Sequence, residues 1–428
     1  MQATQHVQVV PYLNQLPSPP QHHRPGLVPF AWGAGNFGQL GMGADALGDF
    51  SKPKKNAWAI KQMENDVFGD DNGGIESVVA GGIPDRENPG SFLSVDDLSA
   101  VPHPLQSLVD EGFRAVKAAS GDNICAAVSD KGELRVWGSF RANEGSLGFS
   151  SGLRHQFKPV PILELSRRPG DFERVSSIAA GDNHLLVLTT HRHIYSWGAG
   201  EDYELGRRVL ERHKIHGTVP EKVILGTQTR KATLVGAGNF HSFAVDETGD
   251  VWGWGLNSMG QTGTGYASSE DSVVQLPKKI QRLSKQMLGN DSVIQIAGGY
   301  HHTLFLLKSG KVYSCGRSDS GQLVLPADHP TFNDRTHPDF VSEPVLVSFP
   351  DPGDPVVQIS CGVHNNSAVT RGGALYSWGQ GIQGELGLGD KKEAETPQLV
   401  VRKDGGSWFA AAISCGGQHS IGLFRSKK

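Results

Sequence analysis

"IAAGDNHLLVLTTHRHIYSWG", residues 178–198, decides the fold, because it occurs five times with variations. The other copies are "AASGDNICAAVSDKGELRVWG" (118–138), "VGAGNFHSFAVDETGDVWGWG" (235–255), "IAGGYHHTLFLLKSGKVYSCG" (296–316) and "ISCGVHNNSAVTRGGALYSWG" (359–379). In each, a glycine (121, 181, 238, 299, 362) precedes Trp137, Trp197, Trp254, Cys315 or Trp378 by 16 residues. The copies recur every 57 to 63 residues, a spacing that suits a propeller blade and exceeds the roughly 33–47 residues of the common helical repeats. Within a copy, short runs rich in β-branched and aromatic residues flank a turn such as "DKG", "ETG" or "KSG", the pattern of a β-hairpin.

A unit of this kind cannot bury both faces alone, so the copies must stack, and radial stacking gives a β-propeller with short, protected edges. The chain ends predict how the ring closes. "ISCGGQHSIGLF" has Gly416 but no Trp-Gly strand after it, whereas "FAWGAGNFGQLGMG" near the N-terminus has Trp32 and no preceding half. An N-terminal strand is therefore expected to complete the C-terminal blade and remove the last open edge. Counting glycine phases at 82, 121, 181, 238, 299, 362 and 416 predicts an all-β, seven-bladed propeller over residues 27–428. The blade starting at Gly82 is expected to be truncated: "IPDRENPGSFLSVDD" follows where inner strands belong, and Gly82 to Gly121 is only 39 residues. Residues absent between Gly82 and Ile83 would explain this, since half a blade leaves unpaired edges and exposed core. Residues 1–26, rich in Gln, His and Pro, are expected to form a disordered tail.

Composition agrees. Gly is 55 of 428 residues, nearly double the usual share of about 7%, and the excess is spread along the chain as tight turns require. A net charge of −4 argues against binding nucleic acid over the whole surface. Four cysteines, widely spaced and without a C-x-x-C pair, signal neither a disulfide framework nor a zinc site and fit a reducing compartment. No apolar run approaches the roughly 18–20 residues of a membrane span.

Two glycine motifs, "GAGNFG" (Gly33, Gly35, Gly38) and "GQGIQG" (Gly379, Gly381, Gly384), satisfy G-x-G-x-x-G. They recur at the repeat's turn with no helix following, so a dinucleotide site is not expected. Gly-x-x-His recurs at His184, His241, His302 and His419, with Ile124 and Asn365 at the equivalent places. Recurrence at one place in most repeats favours a structural role bonding across blades, and equivalent positions around a ring do not converge on a metal. No nucleophile, base and orienter can be grouped, so covalent catalysis, a metal and a cofactor are not expected.

One copy is irregular. After Trp32, Trp197, Trp254, Cys315 and Trp378, a Leu or Thr follows at the eighth residue, but in "WGSFRANEGSLGF" (137–149) the interval from Trp137 to Leu147 is ten. The turn is lengthened by two residues, either as a tolerated insertion or as a device. A second distinctive segment is "GRRVLERHKIHGTVPEKV" (206–223), a long basic connection that reads as a solvated loop or as a docking element.

The repeats resemble those of the regulator of chromosome condensation family from Pro25 to Phe424, through "PGLV" (25–28), "DKGELRVWGSFRANEGSLGF" (130–149), "AGGYHHT" (297–303) and "CGGQHS" (415–420). The resemblance implies guanine-nucleotide exchange on the small GTPase Ran, at chromatin in the nucleus, supporting nucleocytoplasmic transport and cell-cycle control. It implies a wedge of Ser139, Phe140, Arg141, Ala142, Asn143, Glu144 and Gly145 directed at Ran. It also implies Ran-facing loops carrying Asp122, Asp182, Asn183, His301, His302 and His419, and a histone-docking loop with Arg207, Arg208, Arg212 and Lys214. "GDNH" departs from the family pattern, which has its acid at the position of Asn183. The N-terminal segment departs too, having only Arg24 before Lys52 where the family has a basic arm for import and DNA contact. A scaffold or adaptor with the same repeats and no exchange activity is the alternative, and an adaptor has no reason to lengthen one turn. An oxidoreductase built on the glycine motifs is a third reading, and it would require bound dinucleotide.

Overall fold

The computed structural model describes residues 14–17, 27–36, 38–43, 46–64, 102, 104–143, 145–150, 153–168, 170–209, 211–325, 329, 331 and 339–427. Among them are six four-stranded antiparallel sheets arranged as propeller blades. Blade 1 begins with Ala115–Ser120, Ile124–Ser129 and Leu134–Gly138 and ends with Gln156–Val160. The first strands of the next four blades are Val175–Ala180, Ala232–Ala237, Val293–Gly298 and Val356–Cys361. Blade 6 combines both ends of the chain, in the order Phe50–Lys55, Val28–Gly33, His419–Ser426, Trp408–Cys415. Val28 through Gly33 pairs in continuous register with Phe424 through His419, so the N-terminal strand completes the C-terminal blade.

The count corrects the sequence reading: six blades are observed among the described residues, not seven. The seventh rested on "VVAGG" (78–82), which looks like a repeat start and lies outside the described residues. Its sequel carries Pro84, Pro89 and a run of Asp, Asn and Gly with no alternating apolar pattern, and proline cannot donate to a central ladder.

Apolar side chains fill the space between neighbouring blades. Trp32, Trp197, Trp254 and Trp378 are fully buried in these seams, each packed with residues from two consecutive blades. Such a side chain buries on the order of 150–250 Å², so the tryptophan is a large apolar anchor of these four seams. The glycine that follows it has a dictated conformation. Gly138, Gly198, Gly255, Gly316, Gly379 and Gly33 all have φ between +92° and +146°, where an L side chain is strained. A Cβ there would also collide with the backbone of Asn123, Asn183, Phe240, His301, His364 or Gln418. Trp-Gly recurs because the seam needs the indole and the turn admits only glycine.

Gly-x-x-His has an equally specific cause. The imidazoles of His184, His241 and His302 fold back over Gly181, Gly238 and Gly299, occupying the space a Cβ would take. Each ring then reaches the next blade: His184 Nε2 pairs with Ser242 Oγ (2.9 Å), His241 Nε2 with Thr303 Oγ1 (2.7 Å) and His302 Nε2 with Asn366 Oδ1 (2.9 Å). Burial lowers their pKa values, to about 3 for His184 and about 4 for His302, so the rings are neutral bridges. This is the structural role expected for the repeated histidine.

Four residues of the N-terminal segment are also placed. Asn14 donates its backbone N–H to the Thr190 carbonyl (2.9 Å) and its side-chain amide to the carbonyls of Thr189 (3.0 Å) and Ala232 (3.3 Å). Leu16 lies against the turn at Gly132, and Pro17 is buried. These contacts join blades 1, 2 and 3 at the ends of the strands remote from the Trp-Gly turns.

Candidate functional site: one face of the ring and its lengthened turn

The residues between each repeat glycine and histidine share one face. Backbone bonds stitch them from blade to blade: Asp122 N–H to Asp182 carbonyl (3.0 Å), Asp182 to Asn239 (3.1 Å), Asn239 to Gly299 (3.1 Å) and Tyr300 to Val363 (3.1 Å). They surround a central cavity of about 140 Å³ whose lining includes Asp122, Asp182, Asn239 and the repeat glycines 121, 181, 238, 362 and 416. On the same face, the residue after each Trp-Gly (or Cys-Gly) pair donates its N–H to a loop carbonyl of its own blade, as in Ala199 to Asn183 (2.9 Å), Leu256 to Phe240 (2.9 Å) and Ser139 to Asn123 (2.8 Å). The lengthened turn therefore begins where every other turn begins.

It departs at Phe140. Strands Phe140–Ala142 and Gly145–Gly148 pair into a hairpin of their own. Phe140 is fully buried, packing with Phe149 and Leu147 in the seam between blades 1 and 2, and Ser139 is also buried. These two residues form the base. Arg141 and Asn143 are exposed, with Ala142 and Gly145 half-buried; Glu144 lies outside the described residues. The exposed part of the hairpin is thus its tip from Arg141 onward.

Two carboxyls lie beside that tip. Burial first, and then the charge of Asp122, push Asp182 up to about 7, and a hydrogen bond from Asn239 only partly offsets this. Burial likewise raises Asp122, with the Arg141 guanidinium acting in the opposite direction. Around the ring the face becomes aromatic. Phe240 meets Tyr300 edge-on at 5.0 Å, Tyr300 meets His301 at 4.5 Å, and His364 lies 6.2 Å from Tyr300. Burial and the nearby Arg317 charge lower His301 to about 4, and its Nδ1 sits 3.2 Å from the Gln261 amide. Phe240, Tyr300 and His364 were not singled out from sequence. Their signal was positional, since each occupies one of the two variable places of Gly-x-x-His.

The remaining expected residues divide. Asp122, Asp182, Asn183 and His301 reach the face. His302 and His419 are buried, His302 as a bridge to Asn366, and burial lowers His419 to about 4. In the basic connection, Glu211–Thr218 is a 3-10 helix packed against the hairpin's second strand. Arg207 is nearly buried: its guanidinium donates to the carbonyls of Ser196 (3.3 Å), Gly217 (3.2 Å) and Val219 (2.9 Å) and pairs with Glu221 (3.2 Å). It clamps the connection to blade 2. Arg208 is exposed; the side chains of Arg212 and Lys214 lie outside the description. Among the described residues, no cluster of His, Cys, Asp and Glu could hold a metal ion.

The profile of the RCC1-like domain matches residues 28–422. "Guanine nucleotide exchange factor SRM1" of Saccharomyces cerevisiae is 29% identical over 92% of this chain and 74% of its own length. "Regulator of chromosome condensation" of Homo sapiens is 28% identical over 94% of this chain and 92% of its own. The crystal structure of Prp20p from Saccharomyces cerevisiae, described with its binding to Gsp1p and histones, superposes with a TM-score of 0.79 at 27% identity, covering 97% of this chain and 93% of that one.

Proposed function

Because this chain belongs to the RCC1-like domain family, with residues 28–422 matching its profile, we propose that it is a guanine-nucleotide exchange factor for the small GTPase Ran, acting at chromatin in the nucleus. The relatives named above as exchange factor and as regulator of chromosome condensation support this, as does the binding of Prp20p to Gsp1p, the yeast Ran, and to histones. The observation that carries the reading is the hairpin Phe140–Gly148, which replaces an ordinary turn at one blade and presents Arg141 and Asn143 beside the Asp122–Asp182 pair.

Exchange requires no bond to be made or broken. The propeller binds nucleotide-free GTPase more tightly than the nucleotide-bound form, and by reciprocity nucleotide binds the complex more weakly by the same factor. Each tenfold of release corresponds to about 1.4 kcal/mol of difference between the two complexes. The wedge tip supplies that difference by entering space that the GTPase otherwise gives to phosphate and Mg²⁺, and the acidic-to-aromatic face holds the GTPase in register. Arg208, Arg212 and Lys214 on the basic connection provide donors for an acidic histone surface.

The test is release of a fluorescent guanine nucleotide from purified Ran. The intact chain accelerates release, and a variant with residues 140–147 shortened to the length of the other turns does not. If the shortened variant, folded by thermal melt, still accelerates release fully, the wedge reading is wrong. Release unchanged by the intact folded chain would leave the adaptor reading.

A further inference from the structure

At four consecutive seams the turn after the Trp-Gly (or Cys-Gly) strand is pinned by the next blade. Its carbonyl, seven residues after the Trp or Cys, accepts two hydrogen bonds. Glu204 receives Trp254 Nε1 (2.8 Å) and Ser242 Oγ (2.7 Å), and Gln322 receives Trp378 Nε1 (3.0 Å) and Asn366 Nδ2 (3.1 Å). Glu385 receives Trp32 Nε1 (2.7 Å) and Ser420 Oγ (3.1 Å), and Gln261 receives Thr303 Oγ1 (2.8 Å) and Cys315 Sγ (3.5 Å). Among the described residues, the seam behind the wedge shows neither donation. The Ser/Thr/Asn position is Leu185, which is apolar, and the buried Trp197 Nε1 has no acceptor among the described residues.

Other groups take over. The Asn183 side-chain carbonyl accepts the N–H of Arg141 (3.0 Å), and a Glu201 carboxylate oxygen accepts the N–H of Asn143 (2.6 Å). The two N–H groups are two residues apart, and so leave the same edge of the hairpin. A two-stranded ribbon of this length is marginal by itself. Its free edge is held by side chains of blade 2 where a third strand would otherwise be.

We propose that Asn183 and Glu201 are positioning residues for exchange: they fix the wedge tip by capping the Arg141 and Asn143 amides, in place of the paired donors that pin the turn at the four seams above. Asn183 thereby acts through the wedge. Any side chain with an acceptor oxygen at position 183 can fill this role, which accommodates the departure at "GDNH". The inference rests on the wedge reading and goes beyond it by assigning what aims the wedge.

The experiment compares Asn183→Ala, Glu201→Ala, the double variant, the conservative Asn183→Asp and Glu201→Gln, and the shortened-turn variant in Ran nucleotide release. The alanine variants are expected to lose about tenfold or more in maximal exchange rate with KM for Ran little changed and the melting temperature within a degree or two of the parent. The conservative variants keep an acceptor and retain most activity. In amide hydrogen exchange, Arg141 and Asn143 lose protection in the alanine variants alone. Adding both alanines to the shortened turn costs nothing further. If the shortened turn abolishes exchange while the double alanine variant keeps the parent rate, the positioning role is overturned and the wedge stands. If the shortened turn keeps full exchange, the wedge reading falls and the positioning role with it.

Discussion

The indole N–H of Trp254 donates to the main-chain carbonyl of Glu204 at 2.8 Å, whereas that of Trp197, equally buried one blade earlier, meets no acceptor among the described residues. The same side chain at the same place in the repeat therefore does two different jobs. Tryptophan to phenylalanine removes the N–H and part of the ring at either site. At Trp254 it also removes a buried hydrogen bond, a loss of roughly 1–3 kcal/mol; at Trp197 it removes a donor that is costly to bury. Chemical unfolding should show Trp254→Phe to be the more destabilising by about 1 kcal/mol or more. Equal losses would mean that the Trp197 amine finds a partner in solution.

The acid pair predicts a pH dependence. Asp182 titrates at about 7 in the folded chain because burial and Asp122 disfavour its charge, and near the ordinary value of about 3.9 when unfolded. Its folded pKa is raised, so its favourable contribution is complete below about pH 4 and is lost as pH rises towards 7. Asp182→Asn removes the ionisation while keeping size and hydrogen-bonding capacity. The variant's melting temperature minus the parent's should therefore increase from pH 5 to pH 8 and flatten above that. A difference that does not vary with pH would show that Asp182 is not held protonated.

Asn14 and its neighbours predict a stability effect far from the wedge. Three hydrogen bonds from Asn14, with Leu16 and the buried Pro17, fasten the segment across blades 1 to 3. Removing residues 1–17 should lower the melting temperature, and Asn14→Ala should account for much of the loss, at roughly 1 kcal/mol per net hydrogen bond. Maximal exchange should not change, because the segment lies at the opposite end of the strands from the Trp-Gly turns. An unaltered melt would mean the segment is not fastened in solution.

Much of this architecture is legible in the sequence because each recurring residue answers a local demand: glycine for a positive φ, tryptophan for the seam, histidine for the bridge. Closure by the N-terminal strand could be read for the same reason, since half a motif stands at each end. The blade count could not, because "VVAGG" (78–82) looks like a repeat start while the residues after Gly82 do not continue the strand pattern. Within the site, the added residues after Trp137 located the hairpin, yet its division at Phe140 depends on packing against Phe149 and Leu147 in a seam shared with another blade. The aromatic row was hidden because Phe240, Tyr300 and His364 have no shared residue type. Only the ring brings them together. The absence of the pin at Leu185 was visible in the sequence, but its meaning required seeing which carbonyl the other blades hold.

The two adjacent arginines of the basic connection should behave oppositely. Arg207 makes three carbonyl contacts and one ion pair while nearly buried, so Arg207→Ala leaves those carbonyls short of a charged donor and frees the helix Glu211–Thr218 that packs against the hairpin. The expected result is a lower melting temperature together with reduced exchange. Lysine at 207 should rescue only in part, since an ammonium cannot reproduce the planar fork that reaches several acceptors at once. Arg208 is exposed, so Arg208→Glu should leave both melt and exchange unchanged. It should still weaken binding to histone octamers or nucleosomes, with a loss that shrinks as salt is raised. Pull-down of histones at two ionic strengths, beside a thermal melt and an exchange assay on the same samples, separates the two residues. Exchange lost in Arg208→Glu, or histone binding lost in Arg207→Ala with an unaltered melt, would reverse the assignment.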